Sequence, residues 1–188
     1  PEGWKQIRNA AEPWMKKAMD LCIITTQRRG DICSMEKDNI KDGILYVVQK
    51  KTQKYNHAYL AIKITPELRE VLDRPIGQGR VNIISPFIIH RKPIKGLTQK
   101  EAAGQHFSQI DKDYLTKEFK RLRDDVVGAY NDLPLLHRPG FHQGRALAIH
   151  EHEKQGCLPQ QLAGHSTLKQ TENYAARHED IKWKEVSL

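Results

Sequence analysis

Two short stretches limit what this chain can fold into. Ile44 to Gln49 reads ILYVVQ and Tyr59 to Ile64 reads YLAIKI, rich in β-branched and aromatic residues, with the polar segment KKTQKYNHA between them. That pattern predicts an antiparallel hairpin, entered through the turn signal Lys41-Asp42-Gly43. The remaining apolar residues recur at three- and four-residue steps, which is helical spacing. The expected class is therefore α+β, mostly helical, with a small antiparallel sheet at one edge.

Pro13 suits the first turn of a helix on which Trp14, Met15, Ala18, Leu21, Cys22 and Thr25 form a core-facing stripe. That helix runs into TTQRRGD, where Gly30 and Asp31 predict a break and a new N-cap, followed by a short helix through Ile32 and Met35. Arg28 and Arg29 then stand at a junction between helices, either reaching into a cleft or exposed on a turn. Thr65 and Pro66 predict the N-cap and first position of a helix reaching about Leu72. A loop and a third short strand over residues 81–84 are expected next. Residues 85–112 form an irregular basic stretch containing His90, Arg91, Lys92, Lys95 and Lys100. From Asp111 or Asp113 a long helix is expected to bury Leu115, Phe119, Leu122, Val126 and Ala129, with Lys117, Lys120, Arg121 and Arg123 on its other face. Residues 131–140 read as a loop. A helix follows from near His142 to an αL cap at Gly156. Beyond it the pattern gives a short helix around residues 159–163, a turn at Gly164-His165, a helix from Thr167 through Tyr174, and a mixed-charge tail.

The chain has 188 residues, a formal net charge of +8 and a charged share of 29%. An excess of this sign favours a polyanionic partner, since phosphate neutralisation releases condensed counterions. Cys22, Cys33 and Cys157 are odd in number and lack CxxC spacing, so neither a disulfide framework nor a zinc–thiolate site is indicated, and a reducing interior suits them. No run approaches the roughly 20 apolar residues of a membrane span, and no signal peptide opens the chain. The first residue is Pro1, which reads as an excised piece of something longer. His150-Glu151-His152 does not make a chelating pair, because positions i and i+2 of a helix face apart, and HExxH is absent.

Two clusters carry chemistry. In FHQGR, His142 and Arg145 are three residues apart and share a helix face. In LAGHSTLKQTENY, His165 precedes Tyr174 by nine residues across a polar break. Phosphoryl transfer without a metal needs cations and donors around the non-bridging oxygens, an in-line nucleophile, and an acid for the leaving oxygen. Arginine keeps its charge and its planar fork matches phosphate. A tyrosine hydroxyl becomes a nucleophile when its phenolate develops among cations.

Five separated pieces now fall in order: TTQR with Asp31 after it, QKKT, FHQGR, LAGH and ENY. In order and spacing they resemble the tyrosine recombinases, most closely the catalytic domain of lambda-type phage integrases, over nearly the whole chain from about Trp14. The resemblance implies the DNA breaking-rejoining fold and a site-specific recombinase that integrates or excises a mobile element such as a prophage. Arg28 and Arg145 would hold the scissile phosphate, with His142 contacting it and helping to take the tyrosine proton. His165 would bond a non-bridging oxygen. Lys51, with Lys50 as the lesser candidate, would be the general acid for the 5′ oxygen. Tyr174 would form a 3′-phosphotyrosine bond. Asp31 would support the site, and Lys50, Lys54, Arg91, Lys92 and Lys95 would touch DNA. No cofactor, metal or ATP is implied.

The resemblance also implies a catalytic domain over residues 1–176 and a tail over 177–188 that packs on a neighbouring protomer or folds back. On the same resemblance, the family's upstream core-binding and arm-binding domains are expected to be absent from this chain. The implied partners are double-stranded attachment or core sites, a homotetramer on DNA in the full-length protein, and accessory DNA-bending and excision factors. No membrane is involved, and the implied location is the cytoplasm of a bacterial host. Two other readings share the residues: a type IB topoisomerase-like enzyme and a catalytically impaired DNA-binding module. Thr26 stands where many members have glycine, implying a bulkier approach to Arg28. Gly144 replaces the usual leucine, at an expected cost of about 1 kcal/mol against alanine and one packing contact.

Overall fold

Helix α2 (Pro13–Thr25) is the element on which the others assemble, because its stripe is apolar on more than one side: Trp14, Met15, Ala18, Met19, Leu21 and Cys22 are all buried. The computed structural model describes residues 2–52, 58–77, 84–91 and 106–156. The expectations for residues 81–83, 159–163 and 164–174, and for the tail, fall outside the described residues. Around α2 lie α1 (Glu2–Ala10), α3 (Arg29–Ile32), α4 (Pro66–Asp73), α5 (Lys112–Arg121) and α6 (Gln143–Lys154), with three strands, β1 (Ile40–Lys41), β2 (Ile44–Val48) and β3 (Tyr59–Lys63).

The hairpin forms as its alternation predicts. β2 pairs antiparallel with β3 from Ile44↔Lys63 to Val48↔Tyr59, burying Leu45 and Val47 while Tyr46 and Val48 face solvent. β1 adds a strand not foreseen in the sequence. Asp42 (φ 50°) and Gly43 (φ 74°) make the two-residue turn that pairs Lys41 with Ile44, a turn that needs positive φ at both positions. Thr65 caps α4 by accepting from the Leu68 amide at 3.2 Å. At the other end of α4, the buried Lys17 ammonium donates to the Leu72 carbonyl at 2.8 Å, placing a cation at a helix C-terminus. Burial, then Arg74 and Lys37, lower its pKa to about 8.

Three expectations are corrected, and one helix is added. The break after α2 is at Thr26 (φ 55°), and α3 starts at Arg29 with Arg28 as its N-cap, so Gly30 and Asp31 lie inside the helix. A second correction concerns the long helix: α5 ends at Arg121 and passes into a π-helical turn, Leu122–Val127. That wider turn shifts the phase of the helix face, leaving Val126 51% exposed and burying Arg123 to 3%. The added helix is α1, before Pro13, which lays Trp4 against Phe119 and Phe141 with ring centroids 5.3 and 5.8 Å away. Third, that indole explains Gly144. A Cβ there would stand 2.2 Å from the Trp4 ring, so glycine admits the packing contact it was expected to lose.

Candidate phosphate-binding active site

Four separated segments deliver basic side chains to one open cleft of about 670 Å³. Arg28 and Arg29 come from the α2–α3 junction, Lys50 and Lys51 from the single helical turn after β2, Lys112 from the start of α5, and His142 from the residue before α6. Two carboxylates also line it. Asp111 is engaged as the α5 N-cap, its Oδ1 accepting from the amides of Asp113 (2.7 Å) and Tyr114 (3.2 Å). Asp31 is 4% exposed and accepts from the Lys50 amide at 3.1 Å, pinning the hairpin arm to α3. Burial raises the Asp31 pKa, opposed by that hydrogen bond and by Arg28 and Arg145.

Arg145 lies behind the cleft rather than on its wall. It is 1% exposed and its Nη1 donates to the Thr26 carbonyl at 2.7 Å. That carbonyl belongs to the left-handed residue, a conformation a β-branched side chain adopts only under strain. Thr26 does not line the cleft. Its cost is backbone strain, and the bulkier approach to Arg28 expected from it is not what the geometry shows. The field of Arg145 reaches His142, whose pKa is lowered first by burial and then by Arg145, Arg28, Arg29 and Lys51. A neutral imidazole in this position can accept a proton.

The segment leading into His142 is fixed by ions. Arg123 donates through Nε and Nη2 to Asp124 (2.8 and 2.6 Å) and through Nη1 to the carbonyls of Arg138 (3.1 Å) and Pro139 (2.8 Å). Arg138 in turn reaches Asp124 at 3.0 Å and the Leu133 carbonyl at 2.9 Å. The loop before α6 is thereby held in one shape.

Of the residues expected in the site, Arg28, Asp31, Lys50, Lys51 and His142 line one cleft and Arg145 supports it from behind. Arg91 is elsewhere, its guanidinium 4.8 Å over the Tyr114 ring. Lys54, Lys92, Lys95, His165 and Tyr174 lie outside the described residues. The sequence reading missed Gln27 and Gln49, both fully buried. A signal for Gln49 existed: strand alternation puts it on the inward face with Leu45 and Val47, where a polar side chain needs a partner. Cys22 and Cys33 are buried, which pushes both thiols up to about 12. Among the described residues no helix is long and apolar enough to cross a membrane.

The cleft is lined mainly by basic side chains, on a described fold that is mostly helical with one small antiparallel sheet. The chain belongs to the phage integrase family, whose model matches residues 2–180. It is 30% identical over 196 residues to a prophage integrase of Escherichia coli (strain K12), an alignment covering 100% of this chain and 48% of that protein. It is also 30% identical over 166 residues to the integrase of Enterobacteria phage P21, covering 87% of this chain and 40% of that one. The chain thus spans about half or less of the curated relatives it matches. The fold matches a crystal structure of a lambda integrase tetramer bound to a Holliday junction, with TM-score 0.69 and 25% identity over 100% of this chain and 50% of that one.

Proposed function

We propose that this chain is the catalytic part of a site-specific DNA recombinase that integrates or excises a mobile element through a 3′-phosphotyrosine intermediate, with Tyr174 as nucleophile. The convergence of Arg28, Lys50, Lys51 and His142 on one cleft, with Arg145 behind it, carries the reading. Such a set supplies what a pentacoordinate phosphorus requires: positive charge, donors, a base and an acid.

The Tyr174 oxygen attacks the phosphorus and its proton passes to His142, whose imidazole burial and neighbouring cations keep neutral. The bond to the 5′ oxygen breaks and Lys51 supplies the proton that oxygen takes up. Arg28 balances charge on the non-bridging oxygens with the field of Arg145 behind it, and His165 donates to one of them. One phosphodiester replaces another, so the bond energy is retained without ATP, and a second DNA 5′-hydroxyl reverses the step to join strands. By analogy with the lambda integrase tetramer on a Holliday junction, the full-length protein would act as a tetramer on paired duplex sites.

A randomised pool of nicked duplexes incubated with the chain in EDTA should give covalent protein–DNA adducts, and Tyr174→Phe should give none. Binding without any adduct would leave a DNA-binding module. Adducts that require added Mg²⁺ would refute the arginine clamp.

A further inference from the structure

Three polar side chains run inward from the cleft in single file. Arg28 Nη1 donates to Gln49 Oε1 at 2.8 Å, Gln49 Nε2 donates to Gln27 Oε1 at 2.7 Å, and Gln27 Nε2 donates to the Thr25 carbonyl at 2.7 Å. The file has one polarity. A peptide carbonyl only accepts, so the Gln27 nitrogen must face Thr25 and its oxygen must face Gln49. Gln49 must then donate inward, which turns its own oxygen toward Arg28. Flipping either amide would oppose two donors or two acceptors around glutamines that are 0% exposed.

Gln49 also belongs to the arm that carries the lysines. Its backbone N–H donates to the Ala58 carbonyl at 2.8 Å, Thr52 Oγ1 lies 3.4 Å from its Oε1, and the Lys50 backbone N–H next to it donates to Asp31 at 3.1 Å. The arm is therefore tied to the α2–α3 junction twice, once through the Gln49 side chain and once through the Lys50 backbone. A neutral amide suits this place. It directs the guanidinium without neutralising it, whereas a carboxylate would hold Arg28 more firmly and compete with an incoming phosphate. Arg28 has no ion pair among the described residues.

We propose that Gln49 is a positioning residue: its amide oxygen, oriented by Gln27 and Thr25, aims the Arg28 guanidinium at a bound phosphate and fixes it relative to the Lys50–Lys51 arm. The inference rests on the phosphate reading of the cleft, and its test has one arm that needs no DNA. In the free chain carrying ¹⁵N-arginine, NMR should show hindered rotation of the Arg28 guanidinium. Gln49→Met, similar in length but without the acceptor, should speed that rotation about tenfold or more, the loss of one charge-assisted hydrogen bond. Gln49→Glu, which restores an acceptor, should slow it again. With a duplex captured as an adduct from the nicked pool, Gln49→Met should slow single-turnover cleavage about tenfold or more while binding that DNA within about twofold of the parent. Gln49→Glu should leave cleavage slow despite the restrained guanidinium, a split that a merely structural role would not produce. Unchanged rotation in both variants overturns the proposal, and so does a parallel loss of cleavage and affinity. A parent chain that rotates as expected yet forms no adduct defeats the recombinase reading and leaves the Arg28–Gln49 pairing standing.

Discussion

Two guanidinium centres flank α6, and they are built in opposite ways. Arg28 is held by an amide, Gln49, whose orientation is set by a second amide and a backbone carbonyl. Arg123 and Arg138 are held by a carboxylate, Asp124, and by carbonyls of the loop they close. In the second centre positive charge is matched inside the protein. In the first, the Arg28 guanidinium is hydrogen-bonded to a neutral amide and has no ion pair within salt-bridge distance among the described residues. Residue type alone does not separate them, since each is an arginine beside polar groups. The partner's charge does.

The sharpest way to break this contrast is to remove each arginine. Arg123→Met leaves the Pro139 and Arg138 carbonyls without this donor and Asp124 with Arg138 as its remaining partner, and should cost about 2–4 kcal/mol of unfolding free energy in urea titration. Arg28→Met should change stability by less than about 1 kcal/mol yet abolish adduct formation. Equal losses of stability would show that both arginines are structural. A smaller effect is expected at Thr26, where strain is stored next to the site and the buried hydroxyl has no partner among the described residues. Thr26→Gly should raise stability by about 1 kcal/mol, read as an increase in Tm, because glycine tolerates positive φ. A fall in Tm would mean the left-handed turn is not strained.

The smallest effect separates the two centres by pH. Hydrogen bonding to Arg123, then to Arg138, and their charges hold the Asp124 pKa at about 2. A carboxylate depressed from the usual value near 4 adds stability above that value and loses it as pH falls toward about 2. Asp124→Asn should therefore flatten the stability curve between about pH 5 and 2, by under about 1 kcal/mol because solvent reaches the Asp124 carboxylate and screens the interaction. The Gln27–Gln49 file has no titrating group, so the stability change caused by Gln49→Met should be the same at pH 4 and pH 8.

Much of the site was legible from local pattern. The hairpin, the α4 cap and the helix carrying His142 and Arg145 follow from local chemistry: period-2 alternation, a threonine before proline, an i and i+3 pair. What failed did so where distant residues decide. Gly144 reads as a weak point within its own helix, until Trp4 arrives from a helix about 140 residues earlier in the chain and needs the space. Arg123 reads as a solvent-facing residue until a π turn rotates it inward to bind the loop that follows.

The amino-acid sequence by itself determined the class of fold and the kinds of group available for phosphate chemistry, because those depend on periodicity and on side-chain donors and charges. Only the tertiary structure decided which arginines line the cleft and which are enclosed. That property belongs to contacts between segments: Gln49 reaching Arg28 from just after β2, 21 residues away, and Thr26 giving its carbonyl to Arg145 across 119. Pairings over such separations are fixed by the packing of α2, the sheet and α6 against one another, and no local pattern encodes them.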